Sequence, residues 1–344
     1  MARNSIGCRF YRSEKYNIID PYRLDHDMVL EELIKKQSVN RFHNAKACHL
    51  RYRDKIIQFI EELAERLEYK ESTFHLAVAL VDSLYSLYKV ENRMVKLVSF
   101  MALHLAAKLE ENSEKIPELT SVVRLFDLEF TLGEIKHCET IFANILDYKL
   151  NLKTPYTFVE YFFSKGVLDG EDLKYIVVER IEDKLQHFED LVSYFIRIAL
   201  DSYSFYKYTS IAIATAAISC ARKLIGFPVT WTQNLEQLTR VSSSMIENCS
   251  RHLFDLVRDS SPALLEISGK RNDVKSSLNS ELLMKYTSQN SIATNHGSEG
   301  EFDAAEQLKP DDNDSVSQYK ANKNYNQHFG EKKSHFLFSF ENFN

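Results

Sequence analysis

The stretch that decides the fold is residues 93–111, RMVKLVSFMALHLAAKLEE. Twelve of the sixteen residues from Met94 to Leu109 are apolar, with no Pro or Gly among them, and they run round the whole helical wheel instead of along one stripe. A helix that is apolar on every side is a buried one. Ala102, Ala106 and Ala107 let neighbouring helices come close, and charge collects at the end as Lys108, Glu110 and Glu111. The stretch therefore reads as the hub of a helical bundle whose C-terminal end reaches the surface.

Around the hub, apolar residues recur at helical spacing. Met28, Leu30, Leu33 and Ile34 mark a short amphipathic helix that ends near the polar stretch 37–40, too short to be stable in water unless it docks. Ile56, Ile57, Ile60, Leu63 and Leu67 mark a helix over about 46–69, and further helices are expected at 74–87, 117–126 and 133–148. The last begins with a capping box, Thr131 with Glu134, and buries Ile135, Cys138, Phe142, Ile145 and Leu146. That stripe leaves Glu139 and Ala143 on its edge, where a helix can pack on its own domain and still touch a partner.

A second unit opens at Thr154-Pro155, an N-cap followed by proline at the first helical position. It continues with helical patterns over 171–201, 208–225 and 244–257, the last with Ser244 and Glu247 as a second capping box. Ala106-Ala107-Lys108-Leu109 resembles Ala221-Arg222-Lys223-Leu224 at an offset of 115, and Cys138 matches Cys249 at 111. The order and near-constant offset point to tandem five-helix modules. The expected fold is all-α: an N-terminal arm and short helix over 1–45, modules over 46–152 and 153–260, and a disordered tail over 261–344. In the tail the composition turns to Ser, Asn, Asp, Glu, Lys and Gln, which bury too little apolar surface to offset ordering. The segment HFLFSFENF, with Phe336, Phe338 and Phe340 alternating, reads either as a docking segment or as a frayed apolar end.

The chain has 344 residues, 44% of them hydrophobic and 27% charged, which is ordinary for a soluble protein of two domains. Nine Gly and six Pro are too few for a β-rich or dinucleotide-binding chain, and a net charge of -6 favours neither nucleic acid nor a membrane surface. The N-terminal MARNSIGCRFYRSEKYN is too polar for a signal peptide, so a nuclear or cytoplasmic location is expected. Five widely spaced cysteines without a C-x-x-C pair read as reduced thiols.

Motifs for chemistry are missing. There is no G-x-G-x-x-G, no phosphate-binding glycine loop and no G-x-S-x-G. The histidines form no H-x-x-x-H and do not pair with cysteines at zinc spacing; Cys48-His49 and His137-Cys138 are adjacent and diverge on a helix. His104 reads as a hydrogen-bonded core residue, and the acidic run 311–314 lies in the tail, without pocket helices around it. The expectation is no enzyme, no cofactor and no metal.

The run Thr73-Phe74-His75-Leu76-Ala77-Val78, followed by Leu103-His104-Leu105-Ala106-Ala107-Lys108-Leu109-Glu110-Glu111 and then Cys138-Glu139, resembles the cyclin box. The likeness spans about 46–152, and the second module is similar to the weaker C-terminal box up to about 257. Within the family, RYRDKIIQFIEELA, SEKIPELTSV and Thr230-Trp231 look most like the J-type group. The resemblance implies a regulatory subunit that binds and activates a cyclin-dependent Ser/Thr protein kinase. In the family a Lys of the A-K-x-E-E motif and a Glu early in the fifth helix bond to kinase backbone; Lys108 and Glu139 match them. Leu105, Leu109, Ala143 and Tyr148 match the apolar groove that receives the kinase's C-helix. Many cell-cycle cyclins also carry M-R-x-x-L-x-x-W, which captures R-x-L segments of substrates or inhibitors. Here Tyr52, Arg53, Ile56 and Phe59 stand at those positions, with a charged Lys55 where an apolar residue is usual, and Glu62, matching a Glu that meets the arginine, is retained. No R-x-x-L destruction segment is found in the N-terminal arm; Arg197-Ile198-Ala199-Leu200 fits the pattern inside an expected buried helix. The alternative function is a cyclin-fold scaffold or transcription factor that contacts DNA or polymerase, which would need a basic face.

Overall fold

The computed structural model describes residues 26–37, 48–125, 130–176 and 180–260. The expected N-terminal arm, the disordered tail and its Phe-rich segment lie outside the described residues. Eleven α-helices and no β-strand are formed among the described residues. They are α1 (His26–Gln37), α2 (Arg53–Arg66), α3 (Glu71–Leu87), α4 (Val95–Glu110), α5 (Leu119–Leu125) and α6 (Leu132–Ile145), then α7 (Pro155–Lys165), α8 (Ile181–Asp201), α9 (Ser210–Ile225), α10 (Gln233–Thr239) and α11 (Ser243–Ser260).

Helices α2 to α6 close round one hydrophobic core and α7 to α11 round a second. The hub stretch is α4: every residue from Leu97 to Ala107 is buried, and exposure begins at Lys108. Its counterpart α9 has the same length, sixteen residues, and starts 115 positions later; α11 starts 111 positions after α6. Both spacings equal the offsets read from the alanine-rich and cysteine matches.

Local signals place most ends. Thr131 Oγ1 accepts from the Glu134 amide at 3.2 Å while the Glu134 carboxylate accepts from the Thr131 amide at 2.8 Å, so α6 has its capping box. Thr154 caps α7 through the Thr157 amide, with Pro155 at the first position. Helix α9 ends at Gly226 in the left-handed region, φ 86°, where a side chain would be strained.

Other ends differ from expectation. The helix expected over 46–69 is a 3-10 turn, Cys48–Arg51, followed by α2, and α2 stops at Arg66 because Glu68 turns left-handed (φ 52°) and the Tyr69 amide bonds back to the Ala64 carbonyl at 2.9 Å. The pattern over 171–201 is also interrupted. Asp169 takes the amides of Glu171 and Asp172, and Asp172 is drawn to Arg222 with 2.7 Å bonds, so Asp172–Lys174 forms a 3-10 turn and α8 starts at Ile181. Ser244 does not cap α11: the helix has already begun at Ser243, and Glu247 bonds Arg251 instead. Helix α10, capped by Thr232, was not anticipated.

Helix α1 docks on the second module, although the first follows it in sequence. Leu30 is fully buried in the second core, with Val29, Leu33 and Ile34 packed around it. His26 Nε2 donates to the Leu238 carbonyl at 2.9 Å, Asp27 pairs with Arg240, and the Gln37 side-chain oxygen takes the Ile211 amide at 2.9 Å.

The modules are pinned together by Arg53. Its guanidinium donates to both oxygens of Asp82 (2.8 to 3.1 Å) and to the carbonyl of Asp201 in the second module (2.8 Å). His49 and Tyr206 donate to the same carboxylate, at 2.7 and 2.6 Å. Burial alone would push Asp82 up, but the Arg53 charge and the bonds from His49 and Arg53 hold it below the usual carboxylate range. A second link joins Arg197 to Glu61, with the guanidinium 5.0 Å above the Phe74 ring. Arg197 and the three residues after it are thus structural.

Breaking a buried pair from one side strands a charge, at a cost of about 3–5 kcal/mol. Asp82→Asn is expected to lose stability of this order in urea unfolding, and Arg53→Met combined with Asp82→Leu to recover at least half of it. An Asp82→Asn midpoint equal to that of the unmodified protein would show that the network contributes no stability.

Candidate functional site

The end of α4 and the flank of α6 meet at one surface. Lys108 is where the C-terminal end of α4 emerges after the buried run from Leu97 to Ala107, and its Nζ donates to Glu139 Oε1 at 2.5 Å. The pair is open to solvent, with side chains 41% and 29% exposed, so its net worth to the fold is about 1 kcal/mol or less. What it does is fix a donor and an acceptor side by side, ready to be offered outward.

The apolar residues beside the pair are arranged in two levels. Leu105 and Ala143 are buried, whereas Leu109 is 46% and Tyr148 69% exposed. A helix turn has 3.6 residues, so Leu105 and Leu109 lie one turn apart on the same face of α4, as do Glu139 and Ala143 on α6. Tyr148 reaches this face through the way α6 ends. The chain turns left-handed at Asp147 and Tyr148 (φ 53° and 55°), and the Tyr148 amide bonds back to the Ala143 carbonyl at 2.8 Å. That is the usual helix-stopping bond, but glycine ordinarily takes the left-handed place. Two consecutive side chains there store about 1–2 kcal/mol each, and the result is a large ring projected beside Ala143. Sequence periodicity ran the helix on to Tyr148 and gave no sign of this turn.

All six residues expected to bind kinase thus sit at the α4–α6 junction. Leu132 joins them: it is 38% exposed and lies two helical turns before Glu139 on the same face. The spacing of seven was the signal for it. The surface is shallow and open, whereas cavities lie elsewhere, at the module junction and on the opposite flank of α6 beside Ile141 and Ile145.

The expected docking patch is divided by the structure. Arg53 is 3% exposed and held by Asp82, and Ile56 is in the core, so these two face inward. Tyr52 and Phe59 are half-buried against the same core, while Lys55 and Glu62 are exposed and Glu62 pairs with Arg66 at 2.8 Å. The lone aspartate in the apolar run 74–87 was the sequence signal that Arg53 had an internal partner.

No group of three or more metal-ligating side chains occurs among the described residues, and no described helix is long and apolar enough to cross a membrane. Cys138, Cys220 and Cys249 are free, buried thiols, each pushed up mainly by burial.

His104 lies in the core one turn below Lys108, stacked on Phe100 at 6.0 Å between ring centres. Burial, with the Lys108 charge adding to it, lowers its pKa to about 4. The unfolded imidazole takes a proton near pH 6.5, so the stability from keeping it neutral is present at pH 7 and lost as pH falls from about 6.5 toward 4. Between pH 7 and 5 the loss is about 2 kcal/mol. His104→Leu is expected to remove that part of the acid sensitivity in urea titrations at the two pH values; an unchanged difference would contradict a neutral buried imidazole.

Comparison with known proteins agrees with this architecture. The family described as "Cyclin, N-terminal domain" matches residues 25–151 and "Cyclin, C-terminal domain" residues 153–285. Among curated relatives, Cyclin-J of Xenopus laevis is 23% identical over 220 residues, covering 62% of this chain and 56% of that protein. Cyclin-B2-1 of Oryza sativa subsp. japonica is 27% identical over 201 residues, covering 58% and 43%. The chain spans about half the length of the curated relatives it matches. The solved structure of a viral cyclin from herpesvirus saimiri superposes with a TM-score of 0.51 at 16% identity, covering 67% of this chain and 97% of that one. With both domains matched in order and the two-module helical fold beneath them, the chain belongs to the cyclin family.

Proposed function

We propose that this cyclin is a non-catalytic regulatory subunit that binds a cyclin-dependent Ser/Thr protein kinase and activates it in cell-cycle control, acting in the nucleus, the cytoplasm or both. The observation that carries the reading is the Lys108–Glu139 pair flanked by exposed Leu109 and Tyr148. The matching positions in the family bind a kinase helix, and two relatives are mitotic cyclins by name.

The mechanism is a shift of population. A kinase is active when its C-helix glutamate reaches the lysine that holds ATP. A rigid surface that binds the inward helix position better than the outward one moves the equilibrium by the difference in affinity. Leu105 and Ala143 give this surface a packed base, Leu109, Leu132 and Tyr148 supply apolar contact, and the ion pair supplies one donor and one acceptor for helix-end backbone. An interface of this kind buries on the order of 2,000 Å². The chain itself needs no reacting group. Kinase substrates or inhibitors would meet the outward half of the docking patch, Tyr52, Phe59 and Glu62, with Lys55 admitting acidic residues where apolar ones are usual.

The test is co-purification of the kinase and phosphorylation of a histone substrate by the complex. Lys108→Glu with Glu139→Lys keeps an ion pair and hence the fold, but reverses what the partner meets; kinase capture should fall at least tenfold, and Tyr148→Ala should do the same with unchanged helix content. Full capture by both variants would exclude this surface as the kinase contact.

A further inference from the structure

The A-K-x-E-E run gives Lys108 to the partner-facing surface, but its last residue, Glu111, has no part there. The Glu111 side chain is 0% exposed, at the point where the chain leaves α4 in an extended conformation. A carboxylate enclosed to that degree is costly unless it is bonded. Its Oε1 accepts from two donors at the start of α3, the Lys70 amide and the Thr73 hydroxyl, both at 2.6 Å. Oε2 has no hydrogen-bond partner among the described residues, and Lys70 Nζ stands 3.9 Å from it.

One side chain thus serves two helix ends. Lys70, the N-cap of α3, makes no side-chain cap of its own. Glu111 supplies that cap from another helix, with its negative charge at the positive end of α3. At the other end, α4 leaves its last carbonyls without partners inside the helix. The Glu111 amide closes on the Ala107 carbonyl at 2.9 Å, and Lys70 Nζ reaches back to the Glu110 carbonyl at 2.8 Å.

Burial fixes α4 as far as Ala107. Lys108, Leu109 and Glu110 form the turn beyond it, where Leu109 is 46% exposed. A terminal turn with few buried contacts opens easily, so it needs holding from its far side. We propose that Glu111 is a positioning residue: it touches no partner, but pins the last turn of α4 to the start of α3 and so holds Lys108 and Leu109 where a kinase helix meets them. The consequence for binding rests on the kinase reading; the pinning does not.

Hydrogen–deuterium exchange of the full chain reads the pinning without a kinase. In Glu111→Ala, peptides covering 105–115 should exchange at least tenfold faster. Glu111→Gln keeps an acceptor for the Lys70 amide and the Thr73 hydroxyl, and should stay within about threefold of the unmodified chain. Leu253→Ala, which opens a cavity in the second core, controls for lost stability alone and should leave these peptides unchanged. Kinase capture should follow the same order, at least tenfold lower for Glu111→Ala and within about threefold for the other two, with circular dichroism unchanged. If Glu111→Ala does not fold, Thr73→Val decides: it keeps the shape, removes one of the two donors, and should exchange at least threefold faster over 105–115. Unchanged exchange in Glu111→Ala, no rescue by Glu111→Gln, or an equal loss of capture in Leu253→Ala would overturn the proposal. Full capture by Glu111→Ala would overturn it too, provided that the Lys108 and Glu139 reversal abolishes capture; full capture by both shows that the kinase reading is what failed, and exchange still decides the pinning.

Discussion

Everything at the functional surface depends on where α4 stops being buried. For most of its length the helix is wrapped on all sides, its small residues Ala102, Ala106 and Ala107 fully enclosed. It cannot rotate or slide without opening the first core, because interiors pack at nearly crystalline density. Lys108 and Leu109 are therefore carried to one fixed place by the burial of the residues before them. Glu139 and Ala143 are fixed in the same way by Ile135, Cys138 and Phe142, the buried side of α6. A surface set by two helices locked into one core in this manner is pre-organised, which is what a protein needs if it is to act on a partner by shape.

The second module supports the first through buried charge. Asp82 gathers His49, Arg53 and Tyr206, and Arg53 reaches across to the Asp201 carbonyl. These groups span both modules and lie far apart in sequence, so their satisfaction requires one relative placement of the two bundles. An apolar junction could slide; a carboxylate with several donors of fixed direction has far fewer alternatives. Helix α1 adds a further tie on the second module, through Leu30 in its core and Gln37 at the start of α9.

Much of this was legible in the sequence, for reasons that are local. An all-round apolar helix, a Thr-x-x-Glu cap, a Thr-Pro start and two repeat offsets each involve residues close together or copied patterns, and each reappears in the fold. The meeting of Lys108 with Glu139 was legible only through the family resemblance; nothing in the spacing of 31 residues says that they touch. What was missed is non-local or conformational. Arg53 looked like a surface residue because its partner Asp82 lies in another helix. The turn that projects Tyr148 uses left-handed conformations that neither Asp nor Tyr advertises. The break before α8 comes from Asp172 preferring Arg222, fifty residues away, and α10 is a seven-residue helix too short for a periodic signal.

The central claim is that a kinase contacts the α4–α6 junction and leaves the inner network of the modules untouched. Hydrogen–deuterium exchange of the chain, alone and with a cyclin-dependent kinase, tests it most directly. Slowed exchange confined to peptides covering 105–111 and 132–150 is the predicted result. A complex whose protection falls on α2 or on the second module, with the α4–α6 junction unchanged, would contradict it.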